Sequence, residues 1–192
     1  MTKTEEYVLG CLKKWVWSGY YTVSRMEAML ADVVDSGCDL AWLRASIRAE
    51  QERKLKAEAE WGETTDCDRL DDAFNDLHEQ GICALENTGY EMSDGYPAVA
   101  EAVATAPAGR YHGYCFFHGQ DVERALAGHG IMIAFGALND DPVLGARVGR
   151  TVAAGLRSAG FLVEWDGSVK NRIAVPTFRW ERRSQSDANY EA

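Results

Sequence analysis

The strongest constraint on the fold is an alternation of short apolar strands and helices between Arg110 and Trp180. The residue pattern predicts, in order, a strand at 111–117, a helix at 121–127, a strand at 130–137, a helix at 140–160, and a hairpin of 161–165 with 172–175. Because Ile131–Phe135 is apolar at every residue, its strand should be covered on both faces. Helical connections favour parallel neighbours, and the hairpin adds an antiparallel edge.

The first 62 residues carry only helical patterns. Apolar residues at three- and four-residue steps predict a helix from Thr4 to Ser18 and a second from about Thr22 or Ser24, where Ser24 and Glu27 match a capping box. A third helix begins at Asp39 and continues into alternating charges, which are typical of a solvated face. Its balance of acids and bases disfavours a DNA-reading helix.

Between these parts, the sequence predicts a helix from about Asp66 to Gly81, a strand at 82–86, a turn at 93–97 and a helix at 98–106. We therefore predict a helical part at 1–62, an α/β domain at 63–180 and a disordered tail at 181–192. The fold class is α/β, with α+β as the alternative. The helical part is expected to pack on a four- to five-stranded mixed sheet that includes the C-terminal hairpin.

Charge and cysteine usage limit the classes of function. With 30 acidic against 20 basic residues the net charge is -10, which disfavours nucleic-acid binding and favours partners with basic surfaces. The five cysteines include no C-x-x-C pair, so neither a disulfide framework nor a metal site is expected. No run is long and apolar enough to cross a membrane, and the first residues lack the features of a signal peptide. We expect a cytoplasmic protein without a cofactor.

A polar cluster at the turn after the second predicted strand is the first candidate site. His118 could act as a general base, oriented by Asp121, because free N–H groups at a helix start also favour ligands there. The further candidate ligand-binding residues of this cluster are Gln120, Glu123 and Arg124. The alternative is structural, with Asp121 capping the helix, Glu123 favouring its dipole and Arg124 in a surface ion pair.

The loop after the first predicted strand is the second candidate site. If the two strands are parallel neighbours, this loop lies beside His118, and Asp94 could orient the imidazole. The candidate ligand-binding residues of the loop are Asn87, Tyr90, Ser93 and Tyr96. Turn chemistry of Asn, Asp and Gly explains the same residues without a ligand.

Five segments carry a resemblance to a known family: Gly81-Ile82, Asn87–Tyr90, Ser93–Tyr96, Gly113–Ala125 and Val163–Gly167. On these residues, Gly81 to Trp180 resembles an uncharacterised bacterial family known only as a domain of unknown function. The most specific stretch is Phe-His-Gly-Gln-Asp-x-Glu-Arg. Some relatives carry a cysteine cluster where this chain has Leu85–Tyr90, so no metal site is implied here. The resemblance implies a fold and no activity.

Two functions remain open from the sequence. The first is a small acidic binding or interaction protein, immunity-like or regulatory, that engages a basic protein partner without catalysis. The second is a hydrolase or small-ligand-binding enzyme with a site centred on His118 and Asp121.

Overall fold

A computed structural model describes residues 2–34 and 37–186 of the chain. It has two compact units: Met1–Thr65 with Glu181–Ala192, and Asp66–Trp180. The predicted boundary at 62/63 lies close to this division. The first unit also includes the C-terminal segment, which the sequence assigned to a separate tail.

The described residues of the first unit form the helices α1 (Lys3–Ser18), α2 (Val23–Val33) and α3 (Leu40–Glu58). Each begins at a residue whose side chain accepts a backbone N–H of the first turn: Thr2, Thr22 and Asp39. The cap of α2 is thus Thr22, and Ser24 lies inside the helix. The core of the unit consists of apolar side chains from all three helices: Val8, Leu12, Val16, Met26, Leu30, Leu43 and Ile47.

The C-terminal segment 181–186 is ordered against this helical unit. Ser184 donates from its backbone N (2.8 Å) and its hydroxyl (2.6 Å) to Oε1 of Glu58. The Arg182 guanidinium lies over the Tyr20 ring, 4.6 Å from its centroid. This order differs from the disorder predicted from residue 181, because a cation–π contact with the turn after α1 and hydrogen bonds to α3 hold a polar sequence. The rest of the predicted tail, 187–192, lies outside the described residues.

The second unit is an α/β arrangement, in agreement with the predicted fold class. Its elements are α4 (Asp66–Glu79), β1 (Ile82–Leu85), α5 (Met92–Thr105), β2 (Gly113–Phe116), α6 (Gly119–Leu126), β3 (Ile131–Ala137), α7 (Pro142–Ser158) and β4 (Ile173–Val175). The strands form one mixed sheet in the order β1-β2-β3-β4. The β1–β2 pair is parallel, and the other two pairs are antiparallel.

The antiparallel β2–β3 pair corrects the expectation that helix-connected strands are parallel. The connection between them contains the eight-residue helix α6 and two glycines with positive φ, Gly128 (80°) and Gly130 (69°). A parallel β3 would need a further segment that returns the chain to the end of the sheet where β2 begins. This short connection only reverses the chain, so β3 runs antiparallel to β2. The parallel expectation was correct only for β1 and β2.

The predicted C-terminal hairpin is reduced to one ladder and a single bridge. β4 pairs with β3, while segment 161–165 touches it only through the bridge between Glu164 and Ala174. The indole N–H of Trp165 donates to the carbonyl oxygen of Ser168 at 3.0 Å. Segment 161–165 is therefore extended chain with a single bridge where a full strand was predicted.

Helix α5 begins at Met92, earlier than the predicted 98. Residues 93–97 were predicted to form a turn, because Ser, Asp, Gly and Pro are also common in turns outside helices. Asp94 is the third residue of the helix, and its carboxylate accepts the backbone N–H groups of Tyr90 and Glu91 (both 2.9 Å). Gly95 lets the helix approach the sheet: a Cβ there would lie 2.1 Å from Cε2 of Phe116. Ser93–Pro97 is therefore helical, and only 86–91 remains as the loop between β1 and α5.

The sheet carries helices on opposite faces. A Cβ on Gly113 would lie 2.4 Å from Val148 of α7, whereas Phe116 contacts Gly95 of α5. Residues separated by an odd number along a strand point to opposite faces, so α7 and α5 cover different sides. On β3, Ile131 and Ile133 are fully buried, but alternate positions such as Met132 are only partly covered.

Candidate functional site

The carboxyl ends of β1 and β2 bring the two candidate loops together, as the parallel pairing predicts. Beyond the strands, Thr88 donates its N–H to the carbonyl oxygen of Phe117 at 2.9 Å. The N–H groups of Gly119 and Gln120 then donate to the carbonyl oxygens of Gly89 (2.9 Å) and Tyr90 (3.1 Å). The loop after β1 is thus bonded to the start of α6.

His118 and Asp121 lie in contact at the start of α6. His118 is the residue before the helix, and the Asp121 carboxylate accepts its backbone N–H at 3.2 Å. The Asp121 carboxylate also lies 3.2 Å from the imidazole Nδ1. Both residues are almost completely buried, with 4% and 2% of their surface exposed. The sequence placed this pair correctly, but assigned the position before the helix to Asp121.

Arg172 completes the cluster, and no sequence signal identified it. Its NH1 donates to both carboxylate oxygens of Asp121, at 2.8 and 2.9 Å, and lies 3.3 Å from Nε2 of His118. Arg172 directly precedes β4, and the β3–β4 ladder positions it there. The ion pair joins residues 51 apart in the chain, so only the strand pairing reveals it.

The contacts of the His118 ring determine its protonation. Arg172 can only donate, so Nε2 must accept, and the single proton of a neutral ring lies on Nδ1 next to Asp121. Burial lowers the pKa of His118 below its usual value; Asp121 opposes this, and Arg172 adds to it. Asp94 and Glu91 also favour the charged ring, but the net pKa shift is downward. The imidazole is therefore neutral at pH 7.

This lowered pKa predicts an acid-dependent loss of stability. The unfolded chain takes up a proton on His118 below about pH 6.5, whereas the folded chain resists it. The contribution of His118 is thus fully present above that pH and is lost as the pH falls through the folded pKa. We expect the free energy of unfolding to decline more steeply on acidification in the wild type than in His118→Asn, measured by urea unfolding across the range. Parallel profiles would contradict this assignment.

The N–H groups at the start of α6 are already in use. Gly119 and Gln120 donate to the β1 loop, and Asp121 and Val122 donate to the carbonyl oxygen of His118, at 2.9 and 3.2 Å. An anion binds a helix start through N–H groups that have no other partner. These N–H groups are therefore not free to bind an anionic ligand at the start of α6.

Asp94 does not orient His118 through a hydrogen bond. Its carboxylate is held by the backbone N–H groups of Glu91 and Tyr90, which lower the pKa of Asp94. The two residues interact only electrostatically. Of the two aspartates expected to orient the imidazole, Asp121 lies in contact with the ring and Asp94 does not.

The remaining candidate ligand residues do not converge on the imidazole. Gln120 and Arg124 are exposed on α6, and Glu123 accepts the Tyr90 hydroxyl at 3.4 Å. Asn87 has a left-handed backbone with φ of 46°. Ser93 and Tyr96 lie exposed on α5, and Tyr96 borders a separate groove.

The described cysteines and acidic groups offer no alternative centre. Burial raises the pKa of the Cys115 thiol, which therefore stays protonated and is a poor nucleophile. Within residues 2–34 and 37–186, no group of three His, Cys, Asp or Glu side chains is placed to hold a metal ion. In the same ranges, none of the helices has the length and apolar character needed to cross a bilayer.

Comparison with known proteins yields one family. A family model described as a domain of unknown function (DUF6891) matches residues 1–184. The match extends beyond the 81–180 region in which the sequence resemblance was identified, and includes the helical unit. No curated protein and no solved structure matches the chain.

Proposed function

Because the chain belongs to the family of unknown function DUF6891, we propose from its own residues that it is a small acidic binding protein of the bacterial cytoplasm. In this proposal it engages a basic protein partner, as an immunity-like or regulatory protein, and performs no catalysis.

The observation that carries the proposal is the closed His118–Asp121–Arg172 cluster. A general base must reach a substrate proton within hydrogen-bond distance, directly or through one water. Here the imidazole is 4% exposed, and Arg172 lies against the nitrogen that would accept the proton. The imidazole is the group of this cluster best suited to acid–base work at neutral pH, and its own partners enclose it. This favours the binding protein over the hydrolase.

Charge supports a basic partner. The net charge of -10 attracts positively charged surfaces and speeds their association. Helix α4 presents an exposed acidic side with Asp72 and Asp76, and the nearby Glu79 pairs with Arg110 at 3.5 Å. Such a surface binds through exposed charges, so the binding should weaken as salt screens them.

The test is an affinity capture from the native host with the full chain immobilised. We expect a basic protein to be retained at low salt and released as the ionic strength rises. The Asp72→Asn/Asp76→Asn double variant should retain less of it, and His118→Asn, which leaves the surface charge unchanged, should retain as much as the wild type. Absence of any specifically retained protein would refute the proposal.

A ligand screen tests the absence of catalysis separately. Thermal unfolding of the wild type and of His118→Asn is measured against a panel of metabolites and divalent metals. We expect no compound to stabilise the wild type selectively, because the imidazole is enclosed by Asp121 and Arg172. A compound that raises the Tm of the wild type and not of His118→Asn would restore the hydrolase alternative.

A further inference from the structure

A groove of about 420 Å³ lies between α5 and the far ends of β2 and β3, away from the His118 cluster. One wall is a single face of α5, and the other comes from the sheet and the turn after β3. The side chains that define its shape are Tyr96, Val99, Val103, Tyr114, Leu138 and Asp140. Its volume lies in the range of small-molecule sites, roughly 300–1,000 Å³.

Apolar and aromatic groups form most of the groove. The rings of Tyr96 and Tyr114 meet edge to face, with centroids 6.1 Å apart. Tyr96 is 48% exposed and Leu138 is 36% exposed, so both present apolar surface to an incoming molecule. Valine side chains of α5 continue this surface along the helix.

One end of the groove is polar and negative. Tyr114 and Asp140 line the groove together, and burial raises the pKa of Tyr114 to about 12, with smaller contributions from Tyr96 and Asp140. Tyr114 therefore stays a neutral phenol and can still donate a hydrogen bond. Asp140 is exposed, and its carboxylate makes no hydrogen bond or ion pair within the described part of the chain. Among the residues that the structure describes, no Lys, Arg or His lines the groove.

We propose that this groove binds a small organic cation: an ammonium group carried by an aromatic or branched aliphatic body. The ammonium pairs with Asp140 and lies against the electron-rich rings of Tyr96 and Tyr114. The carbon body lies on Val99 and Val103 of α5. An anion of the same shape is excluded by the carboxylate, and a neutral molecule lacks the ion pair. This site is independent of the proposed protein partner.

The test compares three probes of similar size and different charge on the 15N-labelled full chain. Phenethylamine is the cation at pH 7, 2-phenylethanol is neutral and 3-phenylpropionate is the anion. We expect phenethylamine to shift amide signals of α5 and of residues 137–140. 2-Phenylethanol should shift the same signals with about tenfold weaker affinity, the usual effect of losing one charged hydrogen bond. 3-Phenylpropionate should shift none of them.

Three variants test whether phenethylamine binds in this groove. Asp140→Asn should reduce phenethylamine affinity about tenfold, to the level of the alcohol, because the ion pair is lost. Asparagine tolerates the left-handed backbone at this position, where φ is 58°, so the turn is preserved. Ala104→Arg fills the groove from an exposed position and should abolish binding of every probe. Glu101→Gln removes a carboxylate from the same helix outside the groove and should leave affinity unchanged.

Several results would overturn the proposal. These are equal binding of the cation and the anion, an absence of binding by all three probes, and shifts that map elsewhere. If Glu101→Gln weakened binding as much as Asp140→Asn, the effect would come from the general negative field and not from this site. None of these results bears on the capture of a protein partner, so the two proposals fail separately.

Discussion

Replacing Asp121 with alanine is expected to lower the free energy of unfolding by about 3 kcal/mol, the scale found when one partner of a buried ion pair is removed. Asp121 accepts from Arg172 and from the His118 backbone, so the change leaves the backbone N–H of His118 without its acceptor and leaves Arg172 NH1 with only Nε2 of His118. Arg172 is 30% exposed, and water will recover part of its loss. The value is therefore placed at the lower end of the range for such pairs. Urea unfolding measures it directly.

The control for this prediction is Gln120→Ala on the same helix. Gln120 is exposed, and its side chain makes no hydrogen bond within the ranges that the structure describes. Its removal should change the free energy of unfolding by less than about 0.5 kcal/mol, as for most surface substitutions. If both variants lost similar stability, the special role assigned to Asp121 would be wrong.

Gly130→Ala should be the second strongly destabilising change, also by about 3 kcal/mol, from a left-handed backbone together with overpacking. Gly130 has a φ of 69°, and a Cβ there would lie 2.3 Å from the carbonyl oxygen of Val175 and 2.7 Å from Cα of Pro176. Both are backbone atoms, so the strain cannot be relieved by a side-chain rotation. The strands β3 and β4 must separate at this end.

Gly128→Ala is a matched control in the same turn. Gly128 also has a positive φ, 80°, but a Cβ there would meet no atom of the described residues within 4 Å. It should therefore lose only the backbone contribution, about 1 kcal/mol. The difference between the two variants in urea unfolding isolates the contact with β4. Equal losses would show that the close approach of β3 and β4 contributes nothing.

The two predictions are linked through Arg172. Gly130 sets the spacing between β3 and the end of β4, and Arg172 precedes the other end of the same short strand. A shift of β4 should therefore disturb the contact between Arg172 and Asp121. Because the two sites share this element, we expect the losses of Asp121→Ala and Gly130→Ala to be non-additive in the double variant.

Local sequence signals predicted most of the elements, but of the strand pairs only the parallel β1–β2 pair. The apolar pattern of Ile131–Ala137 and the helix start before Pro142 are evident from adjacent residues, and both elements are present. The turn predicted at Ser93–Pro97 is wrong. Asp94 instead caps helix α5, and Gly95 lets that helix pack closely against the sheet. The predicted hairpin is reduced to the single bridge between Glu164 and Ala174, and β4 pairs with β3 instead.

In the candidate site, too, only the contact between residues close in the chain was predicted from the sequence. His118 and Asp121 are three residues apart at a helix start, so their contact follows from local geometry and was predicted. Arg172 joins them only through the pairing of β3 with β4, and the groove beside Tyr114 exists only because α5 lies on one face of the sheet.

The sequence alone therefore determined that the N-terminal part is helical, most of the order of strands and helices that follows it, and the negative net charge of the chain. The tertiary structure decided the direction of β3, the burial of the imidazole, and the use of the helix-start N–H groups by the neighbouring loop. The physical reason is distance along the chain. Periodicity and capping act within a few residues, whereas strand pairing, ion pairing and burial join residues that only the folded chain brings together.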